Sequence, residues 1–270
     1  MGGRSLIRAL TIVVVIGLIW PSSAAAESTR SAWSADTADL LPAGRTEVGL
    51  FGPARVGLQG DVELQAHPLW FFLAPHMGAK WRHHSGGSWS VASRHTLSYP
   101  TPLLSVLSRE GTGGVLPVET EVPHIINLTQ DILATYALRE DQRLSARLGA
   151  RLAAALGEST LPTIDVPLAY SRGAAWHEGF ALEAGLSWSG RVVATLFGGL
   201  ALDLFLLPAP EGSADDWHHA VELTPQLTWR ISDSWALMAG AKFVQGSYPF
   251  GEQSHVLPLF DVTYGWGADD

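Results

Sequence analysis

Ten histidines and a mixed set of acids and bases are the residues of this 270-residue chain best able to do chemistry. In Asp215-Asp216-Trp217-His218-His219, carboxylates and imidazoles lie together, and both are ligands for divalent metals. Neighbouring residues of a strand point to opposite faces, however, so His218 and His219 cannot share one ion. His83-His84, just before the turn Ser85-Gly86-Gly87, meets the same obstacle. No metal site is expected. His95, His124 and His177 have serines and acids nearby in sequence, the residue types of nucleophilic hydrolysis. No Gly-x-Ser-x-Gly, His-Glu-x-x-His or phosphate loop accompanies them, and no spacing fixes a triad. The expectation is therefore no catalytic residue and no cofactor. A hydrolase acting on lipid or peptide stays as the alternative, and it requires His with Ser or acid to converge at one rim.

The charged residues fall into a pattern that says more. From Val192 to Leu207 the even positions are Val192, Ala194, Leu196, Gly198, Leu200, Leu202, Leu204 and Leu206, while Asp203 and Thr195 fall among the odd ones. That is the period of a strand with one apolar and one polar face. The same split recurs at 179–188, 217–231, 235–243 and 256–266. Arg143–Leu156 sets Arg143, Arg147 and Arg151 against alternating Leu and Ala. Its four-residue spacing and alanines also suit a helix, and its alternating neighbours favour a strand. If the apolar faces turn outward, the other faces line an interior holding Glu47, Glu63, Lys80, Arg82, Arg94, Asp131, Arg143, Arg147, Arg151, Glu183, Asp203, Glu222, Arg230, Lys242 and Asp261. The arginine ladder suits a pore for anions. The mixture of signs suits a narrow lumen in which acids and bases neutralise each other, and this second reading is favoured.

The elements that must hold these residues are those of an antiparallel transmembrane β-barrel. Hydrophobic residues are 47% of the chain and charged residues 16%, where a soluble domain has about a quarter charged. Short polar turns at 139–143, 189–190 and 231–234 alternate with Pro-, Gly- and Ser-rich connections at 100–121, 157–176, 208–215 and 245–254. Short turns on the periplasmic side and long loops outside are the asymmetry of such barrels. Candidate strands lie near 45–52, 54–66, 69–83, 88–99, 122–138, 143–156, 163–172, 178–188, 191–206, 216–230, 234–246 and 255–267. Twelve is the expected count and ten the alternative, with 163–172 and the first hairpin the weakest. Trp217 and Trp229 share a face twelve residues apart, which spans about 30 Å along the membrane normal at ordinary strand rise and tilt. Trp188, Trp229, Trp235, Tyr264 and Trp266 are expected in the periplasmic aromatic girdle, with Trp217 in the other.

The chain's ends fit export. Residues 1–26 carry Arg4 and Arg8, the apolar run Ala9–Trp20 and then Ala24-Ala25-Ala26, the layout of a signal peptide cleaved after Ala26. Loss of the two arginines would take the net charge from −9 to −11, which argues against a nucleic-acid partner. The chain has no cysteine, so it depends on its own hydrogen bonds and packing. A periplasmic lead-in at 27–42, a barrel at 43–267 and an extension at 268–270 complete the expected organisation.

On these residues the chain resembles the small outer-membrane β-barrel proteins of Gram-negative bacteria, over roughly 43–266. The closing strand Phe260-Asp-Val-Thr-Tyr-Gly-Trp266 is similar to the aromatic-rich ending that the barrel assembly machinery reads, although Asp261 stands where a glycine is usual and Gly267–Asp270 runs past the last aromatic. Arg55–Leu64 is similar to an early hairpin of several such families. The resemblance implies outer-membrane lipid and the assembly machinery as partners. The expected function is a non-enzymatic narrow channel, or a structural or binding barrel, with a small polar solute as a possible cargo. A soluble periplasmic barrel holding an apolar ligand is the remaining alternative; it requires the apolar faces to point inward. The protein is expected to fractionate with outer membranes and to migrate differently on gels before and after boiling; recovery as a soluble periplasmic protein would contradict the membrane reading.

Overall fold

In the computed structural model, residues 36–111, 116–210, 213 and 216–267 are described. The signal segment 1–26 and the extension 268–270 lie outside them. Twelve strands run β1 (Thr46–Gly49), β2 (Ala54–Leu58), β3 (Val62–Ala66), β4 (His76–Gly86), β5 (Trp89–Ser98), β6 (His124–Arg139), β7 (Gln142–Leu156), β8 (Phe180–Val193), β9 (Leu196–Pro208), β10 (Trp217–Arg230), β11 (Trp235–Tyr248) and β12 (Gly251–Trp266). Each pairs antiparallel with its neighbours in sequence, and β12 pairs back onto β1 from Thr46↔Trp266 to Gly49↔Thr263. The sheet closes, so no edge is left with unpaired backbone groups.

Parity decides which side each residue takes. On β9, Leu204 and Leu206 are 46% and 51% exposed while Phe205 between them is 2% exposed. On β10, His218, Ala220, Glu222 and Thr224 are buried in the lumen, and Trp217, Leu227 and Trp229 face out. The exterior is therefore apolar and the interior carries the charge. That is the surface of a barrel whose solvent outside is lipid, and the reverse of what a soluble barrel with an apolar cavity needs. The ambiguous segment 142–156 is a strand, because β6 and β8 pair with it on both sides. Tertiary pairing outweighs its helix propensity.

Several sequence-based boundaries are corrected. Segment 54–66 is two strands, because Gly60 and Asp61 take positive φ (80° and 60°) and turn the chain. Segment 163–172 is no strand. Pro167 opens a helix, α2 (Pro167–Gly173), where its fixed φ and missing N–H suit the first turn. These two changes offset each other in the count of twelve. The turn expected at Ser189-Gly190 falls at 194–195, since Ser189 and Gly190 stay paired with Gly199 and Gly198. The connection expected at 245–254 is a two-residue turn, with Tyr248 paired to Gly251.

One end of the barrel carries the turns at 59–61, 87–88, 140–141, 194–195 and 231–234. The other carries the long connections, with α1 (Thr101–Leu107), α2, and α3 (Ala175–Glu178). Leu104 of α1 packs with Leu116, Ile125 and Ile164, and Tyr170 of α2 packs with Phe205, Leu207, Ala220 and Tyr248 of the upper lumen. Replacing outward-facing Leu204 with Arg is expected to destabilise the bilayer-folded barrel by about 2–4 kcal/mol at mid-depth; a reversible denaturant titration in vesicles, with no loss of stability, would place that face away from lipid.

Candidate functional site

The lumen is the site that the strand pattern builds. Near the short-turn end Glu47 lies between Arg45 at 3.1 Å and Arg55 at 2.7 Å. Glu63 faces Arg55 at 3.8 Å and Lys80 at 3.5 Å. At mid-height Arg94 donates to Asp131 at 2.8 Å. Arg147 bridges Glu183 at 3.4 Å and Asp203 at 2.8 Å, and Arg151 reaches Glu183 at 3.0 Å. Toward the long-loop end Glu222 accepts from both terminal nitrogens of Arg172, at 2.6 and 2.8 Å, and from Lys242 at 2.7 Å. Each acid in this column thus meets at least one cation. Two glycines make the room. A Cβ on Gly149 would come within 2.3 Å of Asp131, and one on Gly185 within 2.7 Å of Asp203.

The arginine ladder does not stand as an unbroken basic stripe. Arg147 and Arg151 are absorbed by the acids of β8 and β9, while Arg143 turns to Asp39 at 3.2 Å and to the carbonyls of Arg139 and Glu140. Arg230 lies over the Phe197 ring at 5.5 Å, near the short-turn end. Asp261 takes no part in the column. Its carboxylate accepts the backbone N–H groups of Phe51 and Gly52 and so fastens the β1–β2 turn. Arg82 pairs with Asp61 beside the β2–β3 turn.

A non-strand segment enters the lumen from each end. Residues 36–42, the described part of the expected periplasmic lead-in, lie inside the barrel rather than below it. Ala38 N–H donates to Thr135, Leu41 N–H to Glu63 and Lys80 to the Thr37 carbonyl. Asp36 and Asp39 add ion pairs with Arg94 and Arg143. At the other end α2 sinks Tyr170 and Arg172 into the lumen. Burial works against the Arg172 charge, and Glu222 more than offsets it, so the guanidinium is held above its ordinary pKa. Burial, with the Glu178 charge nearby, pushes the Tyr170 hydroxyl up to about 12. Beside the 36–42 segment remains a cavity of about 330 Å³ that touches Asp36, Arg55, Arg143, Asp203, Gln226 and Lys242 and reaches the short turn at Glu140 and Asp141.

Of the expected girdle, Trp229, Trp235, Tyr264 and Trp266 stand exposed at the short-turn end, with Trp235 and Tyr264 4.7 Å apart. Trp217 is exposed at the other end beside Phe180, at 5.8 Å. Trp188 is half-buried over Gly198, five residues inside the end of β8, because the turn falls later than expected. The three candidate histidines do not meet at one rim. His124 stacks on Tyr99 near the long loops, His177 sits on α3, and His95 lies on the outer wall bonded to Ser93 and Gln130. His218 is buried and His219 exposed, on opposite faces of β10.

Arg55 was within reach of sequence reasoning, since it alternates with the apolar Val56 and Leu58. Asp36, Asp39 and Arg172 were not, because they come from non-strand segments where period two gives no signal. No protein-family model matches the chain, and no curated protein matches it. Among solved structures it is similar to OmpT of Vibrio cholerae, described as outer-membrane expressed, at 7% identity and TM-score 0.45, over 79% of this chain and 64% of that one. It is similar to the NanC porin at 8% identity and TM-score 0.47, over 82% of this chain and 96% of that one. A third likeness is the Pseudomonas putida toluene transporter TodX, at 8% identity and TM-score 0.44, over 90% of this chain and 94% of that one. This chain thus spans 64% of the length of the Vibrio cholerae OmpT structure, and likenesses this distant lend it neither cargo nor activity.

Proposed function

We propose that the chain is an outer-membrane barrel that is closed to general diffusion, with a lumen serving as a polar, charge-paired core. The carrying observation is the column of ion pairs. Glu47, Glu63, Asp131, Glu183, Asp203 and Glu222 each meet a cation, so the lumen presents no field of one sign to draw ions through. The plugs at 36–42 and α2 support the same reading. The short turns face the periplasm, as in bacterial barrels, and the 330 Å³ cavity is the place where a small polar solute would rest. In this reading the lumen itself does no chemistry.

Reconstituted in planar bilayers, the intact protein is expected to carry no sustained ionic current. Replacing residues 158–177 with a short Gly-Ser linker is expected to produce discrete opening events. A steady porin-like current from the intact barrel would overturn the closed reading. Glu222→Ala leaves Arg172 and Lys242 facing each other without their shared carboxylate, and the expected loss is about 3–5 kcal/mol, read as an earlier midpoint in urea.

A further inference from the structure

Ion pairing of the lumen does not account for the polar residues on the other side of the wall. On β5, Ala92 and Arg94 point inward, the latter to Asp131. Ser93 and His95 therefore point outward, in line with the exposed Leu97. Gln130 lies directly across from His95 on β6, on the same outer face as Ile132. The three side chains form one chain of hydrogen bonds. The Gln130 amide oxygen contacts His95 Nδ1, and His95 Nε2 lies 2.9 Å from Ser93 Oγ. With Nδ1 carrying the proton toward Gln130, the Nε2 lone pair faces the serine hydroxyl. His83 Nε2 approaches the same Oγ at 2.7 Å from the bulge in β4. The buried charged groups of the lumen neutralise one another. The groups on the outer wall are uncharged partners set against lipid, where each costs free energy unless it has a use.

From this geometry we propose that Ser93, His95 and Gln130 form a hydrolytic site on the outer wall that cleaves acyl esters of membrane phospholipid. Depth supports that substrate. Ser93 pairs across the sheet with Trp81, and the neighbouring Arg82 N–H bonds the carbonyl of Asp61 in the exposed β2–β3 turn. A charged turn must lie outside hydrocarbon, so the apolar belt on this wall begins near Trp81. Below that level β4 exposes His83, His84 and Ser85 instead of apolar groups. Trp89 and Tyr136, 4.9 Å apart, close the hairpin end below that strip, about 10 Å from Ser93 at ordinary rise and tilt. The site thus meets the ester region of the inner leaflet, with Ile132 beside Ser93, Leu97 and Leu128 above it for acyl chains, and the polar strip below it for water.

In the reaction, Ser93 Oγ attacks the ester carbonyl carbon as its proton passes to His95 Nε2. The carbonyl–glycerol oxygen bond then breaks, and His95 returns the proton to the departing alcohol. Water repeats the attack on the acylated serine, gives its proton to His95 and releases the fatty acid, restoring the serine hydroxyl. Gln130 is a positioning residue that holds the imidazole in the required tautomer.

The proposal rests on the membrane reading and is tested beside it. The full chain is folded into mixed micelles containing phosphatidylglycerol, its folding is checked by heat-dependent gel migration, and released fatty acid is measured. A fluorophosphonate probe is applied in parallel and its attachment site mapped. The wild type is expected to release fatty acid and to be labelled at Ser93. Ser93→Ala and His95→Ala are expected to fold normally and to lose about a hundredfold or more of the rate. Gln130→Ala is expected to lower kcat without changing KM, and Gln130→Asn to recover part of it. A folded, heat-modifiable wild type that releases nothing and takes no label, or a Ser93→Ala variant as active as wild type, overturns the site alone. A protein that shows no heat-dependent migration and does not enter micelles overturns the membrane reading and this site with it.

Discussion

The requirement that lumen charges be paired governs the rest of this barrel. Twelve strands with a period of two send roughly half of their residues inward, and here that half includes six acids meeting six cations, Arg55, Lys80, Arg94, Arg147, Arg151 and Lys242, with Arg45 from just before β1 and Arg172 from a loop. An ion moved from water into such a space carries a penalty of several kcal/mol unless a partner and hydrogen bonds offset it. Position by position, the neighbours meet that demand. Gly149 and Gly185 keep the wall clear where Asp131, Glu183, Arg147 and Asp203 crowd together. Glu63 has its cations on β2 and β4 and also takes the Leu41 backbone N–H from the plug.

The same requirement explains why the plugs belong to the fold and are more than loops that happen to cover it. Arg172 finds Glu222, the acid that Lys242 also shares. Asp39 and Asp36 bring negative charge to Arg143 and Arg94. Each plug inserts the sign that its level of the lumen can use, so removing one would expose a charge as well as open a passage. Apolar packing adds to this for both plugs: Ala38 packs with Ala92 and Leu133, and at the long-loop end Tyr170 sits 6.0 Å from Tyr248 and 5.8 Å from Phe250.

Period two made most of this legible from sequence alone. The alternation at Leu200–Leu206 against Asp203, and at Trp217–Trp229 against Glu222, specifies both strand and facing, because a slip of one residue would turn every leucine inward. Turn chemistry was less legible. Ser189-Gly190 has the composition of a turn, yet Gly198 and Gly199 opposite it let the hairpin continue to Ala194, which adopts φ 34°. Segment 163–172 has strand-like apolar residues but no partner, and Pro167 favours a helix start there. The plugs were illegible for a different reason: their side chains are selected by the lumen they enter, and nothing local records that match.

Ser93 and His95 were legible only as residue types. Sequence marked His95 only as one of three histidines with serines and acids nearby, whereas the strand register sets it two residues from Ser93 and directly across from Gln130. A barrel wall has two faces with opposite rules. Inward, charge is tolerated because charge meets it; outward, apolar surface is favoured everywhere lipid touches. The lumen of this protein obeys the first rule almost throughout, and β9 obeys the second. The outer faces of β4 and β5 break the second rule over a few adjacent positions, with uncharged groups already bonded to one another. Closure of the barrel does not require that arrangement, since Val or Leu at 93 and 95 would satisfy the lipid face and leave Arg94 and Asp131 untouched. A departure that stability does not need, in residue types ordered as nucleophile, base and orienting amide, is the strongest physical reason to look for this protein's chemistry on its outside.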